Sequence, residues 1–181
     1  MTDDDARWRE HFPQLFAEAH VDYADCTTGF TTADAPDHLV SRLHLVAVTP
    51  QGHVVACRSE QGWRFLPGGT REPEETLQDL ARRELLEEAG AVLTGSVRHF
   101  ATHVADSNRA QPFRPHLPHP RTYWSYAVAE VEVTGPPGNP PDGERVVEVL
   151  ALPPSEAAEY LAQHDPLHAD VLRLAIAMGH V

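Results

Sequence analysis

The sequence predicts a mixed α/β domain, with helices packed on the faces of a central sheet. Two observations carry this. Segments that alternate apolar and polar residues come before, between and after the segments of helical spacing, and clusters of Gly and Pro punctuate them. The chain has 181 residues, of which 41% are hydrophobic, enough to bury one core without a structural metal or disulfide framework.

Residues 8–19 carry apolar side chains at Trp8, Phe12, Leu15, Phe16 and Ala19, which is helical spacing, with Pro13 starting or kinking the main turn. Residues 26–36, rich in Thr, Ala, Asp and Gly, read as a loop. Residues 39–49 form a strand with Leu43, Leu45 and Ala47 on one face and His44, Val46 and Val48 on the other; a turn at 49–52 returns the chain through residues 53–58 as a hairpin. A short extended piece, residues 63–67, runs into Gly68 and Gly69. A helix follows, with Pro73 at its first position, Glu74 and Glu75 in its first turn and Gly90 as its terminator. Residues 96–105 and 122–134 are strands joined by a loop rich in Pro, His and Arg. A second loop with four prolines, residues 135–143, precedes a last strand at 146–152, and the chain is helical from about Ser155. The sequence thus divides into an N-terminal helix and loop extension (1–36), a central domain (37–153) and a C-terminal helical segment packed on it (154–181).

Charge limits the partners. Fourteen basic residues, all Arg, stand against 27 acidic ones, and the formal net charge is −13. Such a field repels nucleic acid polymers and anionic lipid, and an anionic ligand must be met by a local device such as a metal ion or a few arginines. The absence of Lys excludes a lysine nucleophile or Schiff base. No apolar run is long enough to span a bilayer, the first residues are acidic, and Cys26 and Cys57 have no metal-binding spacing; a cytoplasmic protein is expected.

The informative segment is residues 69–90. At about 100° per residue, Glu84, Glu87 and Glu88 fall within one arc, and Leu77, Leu80 and Ala81 fall in the same arc one and two turns earlier. The stripe that docks on the core is therefore apolar in its first half and acidic in its second. Crowded carboxylates at a core edge raise one another's pKa, and a hard divalent cation, Mg²⁺ or Mn²⁺, relieves the crowding. The other reading is a solvated acidic face steadied by Arg82 and Arg83. The glycine pair ahead of the helix permits a close approach of bare backbone.

These residues resemble the Nudix box: Gly, five residues, Glu, seven residues, Arg-Glu, an aliphatic residue, any residue, Glu-Glu, any residue, Gly, and an aliphatic residue. The matching positions are Gly69, Glu75, Arg83, Glu84, Leu85, Glu87, Glu88, Gly90 and Ala91, the last smaller than the usual Val, Ile or Leu. The resemblance implies an α/β/α sandwich with a mixed central sheet and a loop-helix-loop motif. It implies a Mg²⁺-dependent hydrolase that cleaves the diphosphate linkage of a nucleoside diphosphate joined to another moiety. By residue match, Glu87, Glu88 and the Gly69 carbonyl become metal ligands, and Glu84 a ligand or the base that activates water. Glu75 steadies the helix through Arg83, and Gly90 ends it. Some family members place the base on a late loop, and Glu144 and Glu148 are the candidates for that role here.

Arg58 and Arg64 flank the glycine pair and are candidate phosphate ligands; Trp63 and Phe65 are candidates to stack on a base. The loop after residue 105, with Arg109, Arg114, His116 and His119, has the length of a substrate lid. The expected partner is a nucleotide-type small molecule. The terminal amphipathic segments either cover the sheet or form a homodimer interface. Two other functions use a related fold: a non-catalytic nucleotide sensor, which the intact carboxylates disfavour, and isopentenyl diphosphate isomerase, for which Cys57 lacks the surroundings.

Overall fold

The computed structural model describes residues 3–141, 143 and 145–181. In chain order the elements are α1 (Asp3–His11), β1 (Ala19–Val21), β2 (Cys26–Thr31), β3 (Val40–Val48), β4 (Val54–Ser59), β5 (Arg64–Phe65) and β6 (Gly68–Thr70). They continue with α2 (Leu77–Ala89), β7 (Ala91–Ser107), β8 (Arg121–Val133), β9 (Val146–Leu152), α3 (Pro154–Ala162) and α4 (Pro166–Ala177). Among the described residues nine strands form one sheet, in the order β1-β2-β7-β8-β3-β4-β5, with β6 also on β3 and β9 also on β4. The β3–β8 pair is parallel and the other pairs are antiparallel, so the sheet is mixed.

The alternation of β3 builds both layers. Leu43, Leu45 and Ala47 meet Leu80, Ala81 and Leu85 of α2 on one face. Val46, on the other, belongs to a second cluster that includes Leu161 of α3, Leu172 and Leu174 of α4, and Trp8 of α1. Each buried Leu or Val here withdraws enough apolar surface to contribute about 1.5–3 kcal/mol, so either layer alone is a substantial part of the core. The result is an α/β/α sandwich, with α3 and α4 covering the sheet. No helix among the described residues is long and apolar enough to cross a membrane.

Three expectations change. The N-terminal helix ends at His11, ahead of Phe12 and Pro13, because Pro supplies no amide to continue it. Residues 26–31 are a strand rather than a loop: Cys26, Thr28 and Phe30 alternate into the interior while β2 pairs with β7 from Cys26↔Ser107 to Thr31↔Thr102. The middle helix starts at Leu77 rather than at Pro73, since Glu74 adopts a left-handed conformation (φ 63) and Thr76 caps the helix by accepting from the Asp79 amide at 3.1 Å. Its C-terminus lies where expected, at Gly90 in the left-handed region (φ 58).

A group of histidines packs on the α3/α4 side. His103 and His168 are both 6% exposed, and His103 Nδ1 lies 3.1 Å from the Tyr126 hydroxyl while His168 Nδ1 accepts from the Leu66 amide at 3.2 Å. Burial lowers both imidazoles to about 4, with the charge of neighbouring histidines adding to it. A folded state that resists protonating a group binds fewer protons than the unfolded chain between the two pKa values. These histidines therefore contribute stability that is lost as pH falls from 6.5 toward 4. We expect each to remove about 2 kcal/mol between pH 7 and pH 5. In urea melts at the two pH values, His103→Gln, which retains a partner for Tyr126, should reduce that loss by roughly its own share, and an unchanged difference contradicts this.

Candidate active site

Helix α2 and strand β6 make the site between them. The segment from Gly68 to Thr76 leaves β6 and turns back so that Glu75 meets Arg83, one turn before the end of the carboxylate stripe. Arg83 Nε donates to Glu75 Oε1 at 2.8 Å and Nη2 to Glu75 Oε2 at 3.0 Å, a two-pronged pair whose acid is only 10% exposed. Burial by itself raises the Glu75 carboxyl, and the bonds from Arg83 and from the Glu72 amide overcome it, holding Glu75 below the usual carboxylate range. Arg83 Nη2 also donates to the Thr70 carbonyl, and Arg71 Nε donates to the Glu75 carbonyl at 2.6 Å. The loop is thus tied to the helix at both its ends.

The remaining arm of Arg83 reaches the stripe. Nη1 donates to Glu84 Oε1 at 2.8 Å and to Glu87 Oε2 at 3.3 Å. Glu84 is 6% exposed, and burial raises its carboxyl despite the neighbouring guanidinium, with Glu87 and Glu75 adding repulsion. Glu88 Oε2 accepts from the Gly68 amide at 2.8 Å. So the crowding has protein partners: one arginine and one amide share the carboxylates, where the sequence also pointed to a divalent cation.

Both glycines are required. Gly68 has a φ of 151°, which few side chains tolerate, and a Cβ there would lie 2.2 Å from the Leu43 carbonyl of β3. A Cβ on Gly69 would lie 2.2 Å from Glu84 Oε1. The bare backbone of Gly69 is what lets the buried acid come against the strand.

Glu72, Glu84, Glu87 and Glu88, with Gly68, Gly69, Thr70, Arg83, Arg114, Pro140 and Gly143, line a cleft of about 380 Å³. Its far wall is the loop before β9, fastened to the end of α2 by Gly138 and Asn139 amides donating to the Leu86 and Glu87 carbonyls, each at 3.1 Å. Glu144 belongs to that loop and lies outside the described residues. Oxygen donors of this kind suit a hard divalent ion. Among the described residues, no three acidic, imidazole or thiol groups stand close enough to hold one as placed. Arg83 sits between Glu84 and Glu87, and Glu88 is turned to the Gly68 amide.

A second cavity, about 790 Å³, opens beside the first and shares Gly68 and Glu88 with it. Tyr23, Trp63, Trp124 and Tyr126 line it, with His44 of β3 and His168 of α4. Trp63 is 52% exposed and stacks on His164 with ring centroids 6.0 Å apart. Burial lowers His44 to about 3 and His168 to about 4, so these two imidazoles are neutral at physiological pH. Beyond Trp63, Arg64 and Phe65, the sequence offered no sign of this groove, because its other walls come from distant segments that meet only in the folded sheet.

Two expected phosphate ligands sit elsewhere. Arg58 Nε donates to Glu148 Oε2 at 3.1 Å, and the Tyr160 hydroxyl donates to the same oxygen at 2.7 Å. Cys57 packs toward α2, so its neighbour Arg58 projects to the opposite face, and the sheet separates the Arg58–Glu148 pair from the acidic cleft. Glu148, a candidate base, is therefore remote from Glu84. Arg64 reaches the groove, but its guanidinium lies 4.2 Å over the Tyr160 ring and donates to the Tyr160 carbonyl at 3.2 Å. Phe65 packs against the α2-side core and also lines the groove, together with the more exposed Trp63.

No curated protein matches the chain in sequence. Among solved structures it is similar to the Bacillus subtilis pyrophosphohydrolase BsRppH, crystallised as a mutant, at 17% identity and a TM-score of 0.53, over 74% of this chain and 75% of that one. It is similar to the MutT protein from Methanosarcina mazei Go1 at 13% identity and a TM-score of 0.49, over 81% of this chain and 100% of that one. It is also similar to the E. coli ORF135 protein at 18% identity and a TM-score of 0.48, over 80% of this chain and 95% of that one. The family model described as the NUDIX domain matches residues 38–175, well over half of the chain, and with the loop-helix-loop geometry above the protein belongs to the Nudix family.

Proposed function

We propose that this protein is a Mg²⁺-dependent diphosphohydrolase, cleaving the diphosphate linkage of a nucleoside diphosphate joined to another moiety. The observation that carries the reading is the acidic cleft over Gly69, where Glu84, Glu87 and Glu88 face one space beside a groove rich in aromatic rings. The family's pyrophosphohydrolase relatives support it. Glu84, Glu87, Glu88 and the Gly69 carbonyl would hold the ion, with Glu87 and Glu88, both partly exposed, turning from their present partners to do so. The chemistry such an ion supplies when bound is neutralisation of phosphate charge and activation of water. Arg83, anchored by Glu75, keeps the stripe in register and balances part of its charge.

Two groups compete for the role of base. Glu84 is the first: its burial raises its affinity for a proton, which suits a carboxylate that takes one from water. Glu144 is the second. The groove accommodates the nucleoside or the group linked to it, with Trp63 offering an exposed ring face and the neutral His44 and His168 also lining it. Two unpaired buried thiols, Cys26 and Cys57, accord with a cytoplasmic setting.

The test is a screen of nucleoside triphosphates, sugar nucleotides, ADP-ribose and dinucleotides with Mg²⁺, with product identification. Mg²⁺-dependent cleavage of a diphosphate bond is expected; tight binding with no cleavage would favour a nucleotide sensor instead. On the substrate so found, Glu84→Gln and Glu87→Gln should lower kcat by on the order of 100-fold or more with thermal unfolding little changed. Near-wild-type rates would remove both residues from the mechanism. Gly69→Ala should fold, because the atom it meets is the end of a flexible side chain, yet lose roughly tenfold or more in kcat as Glu84 is displaced. Full activity in that variant would mean that the position of Glu84 is unimportant.

A further inference from the structure

The cleft poses an electrostatic problem that its carboxylates cannot solve. The chain carries a formal charge of −13, and a diphosphate must approach four glutamates. Among the described residues, the cations lining the cleft are Arg83 and Arg114. Arg83 is committed: its three nitrogens serve Glu75, Glu84, Glu87 and the Thr70 carbonyl. Redirecting it to a phosphate would dismantle the loop-helix junction.

Arg114 differs in every respect. It comes from the loop between β7 and β8, and among the described residues its contact in the cleft is Nη1 to Glu72 Oε1 at 3.3 Å. Both side chains are about half exposed, 45% and 50%, and a pair of this kind is weak in water. Its backbone, by contrast, is placed. The Leu117 amide donates to the Arg114 carbonyl at 3.0 Å, His116 Nε2 lies 2.9 Å from the Arg71 carbonyl, and Arg109 Nη2 donates to the Tyr23 carbonyl at 2.7 Å. The loop thus bridges from the N-terminal segment to the loop ahead of α2 and leaves one guanidinium at the edge of the cleft.

We propose that Arg114 is a substrate-phosphate ligand of this cleft, parked on Glu72 until an anion arrives. The proposal rests on the hydrolase reading for the identity of the anion, a diphosphate. On binding, Arg114 exchanges one exposed carboxylate contact for the two-pronged bonds that a planar guanidinium makes with phosphate oxygens. Glu72, released, no longer has a cation to hold.

The probe is methylenediphosphonate with Mg²⁺, which has no hydrolysable bridge, titrated calorimetrically into wild type, Arg114→Ala, Arg114→Lys and Glu72→Gln. Arg114→Ala should weaken binding about tenfold and Arg114→Lys less, without the two-pronged geometry. Glu72→Gln should tighten binding, and the part of that gain due to releasing Arg114 should vanish in the Arg114→Ala background. With a cleaved nucleotide, Arg114→Ala should raise KM, leave kcat near wild type and flatten the salt dependence of kcat/KM. A purely structural role for this exposed side chain would move none of these together. If wild type cleaves nucleotides while Arg114→Ala binds the probe as tightly as wild type, this proposal fails and the hydrolase reading stands. If Arg114→Ala loses the probe but wild type cleaves nothing, the anion site stands and the hydrolase reading fails. Wild type that does not bind the probe overturns the proposal.

Discussion

One guanidinium organises this molecule's acidic end. Arg83 binds Glu75 with two nitrogens and spreads its third over Glu84 and Glu87. A loop that would otherwise be held only by its ends becomes a fixed extension of α2. A carboxylate buried to 6% exposure becomes tolerable beside two others. Removing one partner from so buried a pair leaves the other uncompensated, which is far costlier than losing an exposed ion pair. Gly68 and Gly69 complete the constraint from the strand side, because any side chain there would strike either β3 or the Glu84 carboxyl.

From that junction the division of labour follows. The face of the sheet toward α2 carries charge, concentrated in a cleft with oxygen donors. The face toward α3 and α4 carries a groove rich in rings, with His44 and His168 and with Arg42, Arg64 and Asp165 also in its walls. The two spaces meet where the Gly68 amide donates to Glu88.

Much of the cleft is legible in the sequence because it is local. Thirteen consecutive residues make α2, so helical spacing alone places Glu84, Glu87 and Glu88 behind Leu80 and Ala81, and the glycine terminator is adjacent. Strand β9 is read at its observed bounds for the same reason. What fails is non-local. The strand Cys26–Thr31 has Thr28 among its inward residues, so polarity masks its alternation until β7 supplies the partner. Arg58 is close in sequence to the glycine pair yet lies across the sheet, because strand alternation sends it to the face opposite Cys57. Arg114 is separated from Glu72 by 42 positions, and no spacing rule relates them.

The central claim is that these carboxylates are gathered to hold a divalent cation. Mn²⁺ soaked into crystals of the protein and located by its anomalous scattering tests this most directly. The account predicts a peak between Gly69 and the carboxylates of α2, with Glu87 or Glu88 turned from its present partner. Crystals saturated with Mn²⁺ that show no peak in the cleft, with Arg83 still bridging Glu84 and Glu87, would contradict it.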